Sequence, residues 1–426
     1  MRRTIPILLV GMGLAIAACG GDSDTAAPAD TVPVDTVPAD TVVPTESVVP
    51  ATDVATDSGT APASDCTLDT ALKIGFAADL GELGAFSDQP GSEAAQVQVD
   101  SINAAGGVGG LPVEYEVKDI QGDPAATQRG TQELLDDGVN AIIGPPFGNT
   151  GIPLLDTVNG VAPVIFMAST DPQLADPARG AFLASFSDPV QSAAAAEFAV
   201  SEGWTDAVTF SSADDVYFSG NPKYFAEAFE AAGGTVSKDF SFSLADEDFS
   251  SQVNELSSMD PQPQVLFTAM VMPQTATLLQ QMKSAGLADV KVIGVDGFDA
   301  TVVWSAGDVA NGVYFAAHTF PTADNNVQAF LDETSAAGTQ IETISFGALA
   351  SDAVQVLAHA AESTCSVDGP TLISAINEIK NLEVTTGNVT YAGTGGVPEK
   401  DVVILTVTDA APAFVTSLRP TFIPEP

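Results

Sequence analysis

Basic side chains are scarce. Thirteen Lys and Arg stand against 56 Asp and Glu, for a formal net charge of −43. Nucleic-acid binding needs a positive surface, so that class of partner is excluded. The acidity reads as solubility in a salty exterior rather than as a site for one polycation. Histidine occurs twice, as His318 and His359, far apart and without metal-ligand spacing. No metal site is expected, and each His reads as an ordinary structural residue. Acid–base catalysis would then rest on carboxylates alone. Also absent are a Gly-x-Ser-x-Gly elbow, a His-Glu-x-x-His pair and a P-loop with its Lys. Gly106-Gly107-Val108-Gly109-Gly110 looks like a nucleotide loop, but it follows a helix and precedes a strand, the reverse of the dinucleotide-binding order. Neither an enzyme nor a cofactor is expected.

Cysteine is equally rare, with three in all. Cys19 closes the segment Ile16-Ala17-Ala18-Cys19-Gly20, which is similar to a bacterial lipobox. Met1-Arg2-Arg3 and an apolar run over residues 5–18 precede it, the layout of a secretory signal. The run is short for a bilayer span, which needs ~20 apolar residues. The reading is a signal peptide over 1–18 and a lipidated Cys19 that anchors the chain to the outer face of the bacterial cell membrane. Residues 19–65 repeat Asp-Thr-Val-Pro and contain no Lys, Arg or aromatic residue. Such a segment cannot bury enough apolar surface to offset its ordering entropy. It is expected to be a disordered, partly stiff tether. Outside the cytoplasm the remaining pair, Cys66 and Cys365, is expected to form a disulfide, two buried free thiols being the alternative.

What is present from Cys66 onward is a long α/β pattern. Short apolar strands are predicted at 71–77, 111–120, 140–143 and 162–167, with helices at 90–105 and 124–137. A second set follows: helices at 189–203, 222–232, 249–259 and 273–285, strands at 207–210, 236–242, 265–269 and 290–295. Helices at 327–337, 346–363 and 370–379 come next, then weaker strands at 384–389 and 402–407. Apolar strands separated by helices imply parallel sheets covered on both faces. The length is too great for one core and suits two lobes. In such sheets ligands sit beyond the carboxyl ends of the strands. The loops that matter are therefore 79–90, 144–150, 168–172, 211–219, 270–273 and 296–299.

Five stretches together resemble one family. They are Ile74-Gly75-Phe76 through Gly81, Ile102-Asn103-Ala104-Ala105-Gly106-Gly107, Ile142-Ile143-Gly144-Pro145, Ala168-Ser169-Thr170-Asp171-Pro172 and Gly294-Val295-Asp296-Gly297. Their order and spacing resemble the branched-chain amino-acid and amide binding proteins, with the type I periplasmic binding protein fold. The resemblance implies two Rossmann-like lobes joined by three crossings near residues 188, 318 and 385. Lobe one would hold 66–188 and 319–384, and lobe two 189–318 and 385–426. Two domains joined once is the alternative that composition alone leaves open.

The resemblance also implies a function. The chain would capture a small solute, an amino acid or a related amide, between its lobes. It would act as a monomer and deliver the solute to the permease subunits of an ABC importer. A ligand-sensing domain for a signalling partner is the alternative, and an enzyme a more distant one. The ligand carboxylate would be held by Gly148, Asn149 and Thr170, with Ala168 alongside. A helix beginning near Thr150 would aim free N–H groups at such an anion. Asp296 would take the ligand ammonium, and Phe86 and Tyr217 would form aromatic walls. The chain departs from the family at Pro146-Phe147-Gly148-Asn149, where a Ser is common, and near Met270 and Val271, where an aromatic is expected.

Overall fold

The computed structural model describes residues 66–426 apart from Glu82, Met272, Ser305 and Asp324. The predicted signal peptide, Cys19 and the 19–65 tether lie outside the described residues.

The chain begins with an alternating run of strands and helices: β1 (Lys73–Ala78), α1 (Ala85–Ala104), β2 (Glu114–Asp119), α2 (Pro124–Asp136), β3 (Ala141–Gly144), α3 (Gly148–Val158), β4 (Val164–Phe166) and β5 (Ala181–Leu183). The five strands form one parallel sheet in the order β2-β1-β3-β4-β5. β3, β4 and β5 are buried at every residue, which is why they read as short apolar runs. β2 lies at the edge and is mostly exposed or half-buried. Alternate residues feed two cores. Ile74, Phe76, Ile143, Ile165 and Phe182 face one way, and Ala77, Ile142, Val164 and Phe166 the other. Gly107 makes the turn after α1: its φ is +76°, and a Cβ there would lie 2.0 Å from the Leu111 carbonyl oxygen.

A second set follows: α4 (Asp188–Ser201), β6 (Asp206–Ser211), α5 (Val216–Ala231), β7 (Thr235–Ser241), α6 (Ser250–Ser257), β8 (Val265–Thr268), α7 (Gln274–Ser284), β9 (Lys291–Gly294), the short α8 (Thr301–Trp304) and β10 (Tyr314–Ala317). The chain then returns to the first sheet with α9 (Val327–Ala336), α10 (Ile344–Thr364) and α11 (Gly369–Asn377). The hairpin β11 (Leu382–Val384) and β12 (Gly387–Val389) follows, and β13 (Val402–Thr408) and β14 (Ala411–Leu418) end the chain. The second sheet runs β14-β13-β10-β9-β8-β6-β7. Read from β7 to β10 it repeats the order of the first sheet, with an antiparallel pair added at the far edge. In both sheets the order reverses beside the first strand, between β1 and β3 and between β6 and β8, and a crevice opens there.

α10 is apolar enough and long enough to cross a membrane, but here it is a core helix packed against α1 and α11. Cys66 and Cys365 are joined by a disulfide with Cα atoms 5.3 Å apart, which ties the start of the described chain to the end of α10.

Two helices start earlier than their prolines suggest. Pro90 and Pro222 lie inside α1 and α5 rather than in the first turn. A proline leaves the carbonyl four residues back without its helical donor. In α5 that carbonyl belongs to Phe218, and the Ser212 N–H fills the gap at 3.2 Å. The third crossing also differs from the expected position near 385. β12 still pairs with β11, and the Tyr391 hydroxyl donates to the Leu183 carbonyl at 2.7 Å. The Leu183 N–H donates to the Gly396 carbonyl at 2.9 Å. Residues 385–396 therefore belong to lobe one, and the chain reaches the second sheet only at β13. The cause is burial of Tyr391 against Phe182, a contact far from local in sequence.

Candidate ligand site between the lobes

The second lobe supplies a network of side chains. Asp296 follows β9 and is 3 % exposed. Its Oδ1 accepts the Tyr217 hydroxyl at 2.8 Å, and that hydroxyl accepts the Gly297 N–H at 3.0 Å. Its Oδ2 lies 3.0 Å from His318 Nε2. The Asp296 N–H donates to Gln191 Oε1 at 3.0 Å. Tyr217 is presented by the first turn of α5, which Asp215 caps by accepting the Tyr217 N–H. Gln191 and Asp188 come from the first turns of α4.

Asp188 joins this network to the first lobe. Its Oδ1 accepts the Thr170 hydroxyl at 2.6 Å, the Asn221 amide at 2.9 Å and the Gln191 amide at 3.0 Å. Burial pushes the Asp188 carboxyl up to about 7; the Thr170 and Asn221 bonds oppose the rise and the nearby Asp296 charge adds to it. Asp299, also buried and near Asp296, is likewise pushed up to about 7, with a Ser345 bond opposing. Burial lowers the His318 imidazole, against the pull of Asp296. A neutral His318 that donates through Nε2 leaves Nδ1 bare, and Nδ1 has no partner among the described residues. Burial also holds the Tyr217 hydroxyl well above its ordinary value, so it stays a donor.

The first lobe supplies mostly backbone. β3 ends at Gly144 and α3 starts at Gly148, with Phe147 at the cap position. Phe147 reaches the other lobe: its ring packs edge-on to Tyr217 at 6.0 Å and tilts over Phe218 at 6.3 Å. The Gly151 N–H bonds to the Phe147 carbonyl at 2.8 Å. The Gly148 and Asn149 N–H groups have no protein acceptor among the described residues, as the first turn of a helix requires. The Thr150 hydroxyl turns back to the Phe147 carbonyl.

The predicted residues fall into three groups. Gly148, Tyr217 and Asp296 lie at or beside the contact between the lobes. Thr170 and Ala168 are buried beneath it, at 2 % and 5 % exposure. The Thr170 hydroxyl proton is committed to Asp188. Asn149 is exposed and lines a cavity of about 260 Å³ with Asp79, Leu83, Gln121, Gly122 and Phe147. Phe86 is half-buried, edge-on to Phe346 at 5.3 Å. It borders a separate cavity of about 330 Å³ that also touches Ala300 and Thr301 of the other lobe. Asp188, Gln191, Asn221 and His318 join this network through contacts that no local pattern signals, and His318, expected to be an ordinary structural residue, bonds to Asp296. The described residues contain no group of three or more His, Cys, Asp or Glu suited to a metal ion.

Two α/β lobes, each with a switch-point crevice beside its first strand, meet through Phe147 on Tyr217 and through Thr170 on Asp188. The chain belongs to the periplasmic binding protein family, whose sequence pattern matches residues 71–412. It is 27 % identical to a Leu/Ile/Val-binding protein of Rhizobium johnstonii over 330 residues, covering 76 % of this chain and 88 % of the relative. It resembles the crystal structure of a leucine-binding protein from Thermotoga maritima with a TM-score of 0.74 and 24 % identity, over 82 % of this chain and 99 % of that one. It also resembles a branched-chain amino-acid binding protein of Streptococcus pneumoniae, solved with isoleucine, with a TM-score of 0.74 and 22 % identity, over 82 % of this chain and all of that one. These likenesses carry the type I periplasmic binding protein fold, and the family places such chains outside the cytoplasm.

Proposed function

We propose that the chain is a solute-binding lipoprotein that captures an amino acid or a related small amide between its lobes and delivers it to an ABC importer. The observation that carries this reading is Asp296: a buried carboxylate at the end of a strand, oriented by Tyr217 and His318, with no Lys or Arg bonded to it among the described residues. Such a group suits the ammonium of a ligand that closure strips of water. The opposite end of the ligand faces the free N–H groups of Gly148 and Asn149, where the helix dipole is positive. The names of the Leu/Ile/Val-binding relatives support an aliphatic amino acid as the first ligand to try. Residues 19–65 then serve as the tether from a lipidated Cys19.

Titration calorimetry with L-leucine, L-isoleucine and L-leucinamide tests the ligand class. Saturable binding that Asp296→Ala weakens supports the reading, and failure of all three ligands to bind removes it. Labelled palmitate fed to the bacterial host tests the anchor: it should enter the wild-type chain and not Cys19→Ala.

A further inference from the structure

Asp171 sits in the loop after β4 and is 5 % exposed. Its Oδ1 accepts the Gln173 N–H at 2.9 Å and so caps a short turn. Its Oδ2 is buried and has no partner among the described residues. A buried acceptor left unpaired is costly, and the turn explains only the other oxygen.

Oδ2 lies against the start of α3. A Cβ on Gly148 would come within 2.8 Å of it, and within 3.6 Å of Val216 Cγ2, which belongs to the other lobe. The unpaired oxygen therefore stands where the lobes meet. Gly148 opens α3, and neither its N–H nor that of Asn149 bonds to a protein acceptor among the described residues. A helix start with free donors and a free acceptor thus belong to one corner of the lobe contact. Loops 79–90, 144–150 and 168–172 carry no Lys or Arg to neutralise an added anion. A ligand carboxylate placed here would satisfy the N–H groups but press its own charge against Asp171. A primary carboxamide satisfies both halves: its carbonyl accepts from α3 and its NH2 donates to Oδ2.

We propose that Asp171 is a specificity-determining residue of the interlobe site and selects a ligand ending in a primary carboxamide over one ending in a carboxylate. This rests on the solute-binding reading above and deepens it. Calorimetry with L-leucinamide and L-leucine tests it in the wild type, Asp171→Asn and Asp215→Asn. The wild type should bind the amide at least tenfold more tightly. In Asp171→Asn the new amide N–H can donate to a carboxylate, so the ratio should fall to one or below. Asp215→Asn removes the same charge from the facing lobe, keeps a capping side chain and leaves the acceptor at α3, so the amide preference should persist. A wild-type preference for leucine, or a ratio that Asp171→Asn leaves unchanged, overturns the proposal. Equal loss of preference in both variants also overturns it, because net charge alone would then be the cause. Leucine binding that Asp296→Ala weakens, with no amide preference, overturns this proposal and keeps the function. Binding of neither probe overturns both.

Discussion

The two walls of the cleft are built from different materials. The second lobe presents side chains already bonded to one another: Asp296, Tyr217, Gln191 and His318. The first lobe presents the start of a helix, reached by a turn from Gly144 to Gly148, and an acceptor without a partner among the described residues. A preformed side-chain network has paid its ordering entropy before a ligand arrives. A helix start leaves donors free by geometry and needs no side chain to do so. Substitutions in the second lobe should therefore propagate through their neighbours, whereas those in the first should change which ligand fits.

The largest effect should come from the disulfide, which lies in the first lobe alone. It closes a separation of 299 residues. The entropic model gives about 6 kcal/mol as an upper bound for so long a loop. Cys66→Ser with Cys365→Ser should lower the denaturant midpoint, and hydrogen exchange should rise first in α1 and α10. Equal loosening of both lobes would break the contrast.

Asp296→Ala comes next. It leaves a ligand ammonium buried without its partner, a cost of about 3–5 kcal/mol. Amino-acid affinity should fall by about two to nearly four orders of magnitude, and an uncharged amide should lose less. Calorimetry decides, and unchanged affinity for an amino acid takes Asp296 out of the site. Tyr217→Phe should be milder. It unpairs Asp296 Oδ1 and the Gly297 N–H, at about 1.5–3 kcal/mol for a bond to a charged group, and affinity should fall by about one to two orders of magnitude. A Tyr217→Phe loss equal to that of Asp296→Ala would show that the network acts as one unit.

The remaining effect concerns pH and is read on stability rather than on affinity. Asp188 and Asp299 are each pushed by burial to about 7, from an ordinary 3.8. The folded state thus holds these protons more tightly than the unfolded chain. Their contribution to stability is full below about 3.8 and is lost as pH rises to about 7. Asn at position 188 can keep an oxygen where Thr170, Gln191 and Asn221 donate. Thermal unfolding of Asp188→Asn between pH 4 and 7 should therefore show a flatter fall in midpoint than the wild type. Parallel curves would mean that Asp188 does not titrate in this window.

Much of the fold was legible because its central strands are apolar throughout. Segments 140–143, 162–167, 265–269 and 290–295 correspond to β3, β4, β8 and β9. β5, β10 and β14 carry no such signal. β5 has three residues, and β10 is a brief run beside a crossing. β14 is largely exposed, so its pattern carries no core signal. Asp296 and Tyr217 stand out in the sequence through the family resemblance and because each follows a strand, and the structure bonds the two to each other. Gln191, Asp188 and Asn221 do not stand out, because their role is set by contacts up to 105 residues away. Asp171 was visible only as part of a motif, since nothing in the sequence tells a paired carboxylate oxygen from an unpaired one.

The interleaving of the chain has a consequence for the order of folding. The first lobe needs α10, Tyr391 and the partner of Cys66 at position 365 before its core closes. The second needs β13, which begins at Val402. Neither can finish while the chain is still emerging from its amino end. Pairings so distant in sequence make for slow folding and for unfinished sheets with open faces along the way. The cleft, which needs both lobes, comes into being last.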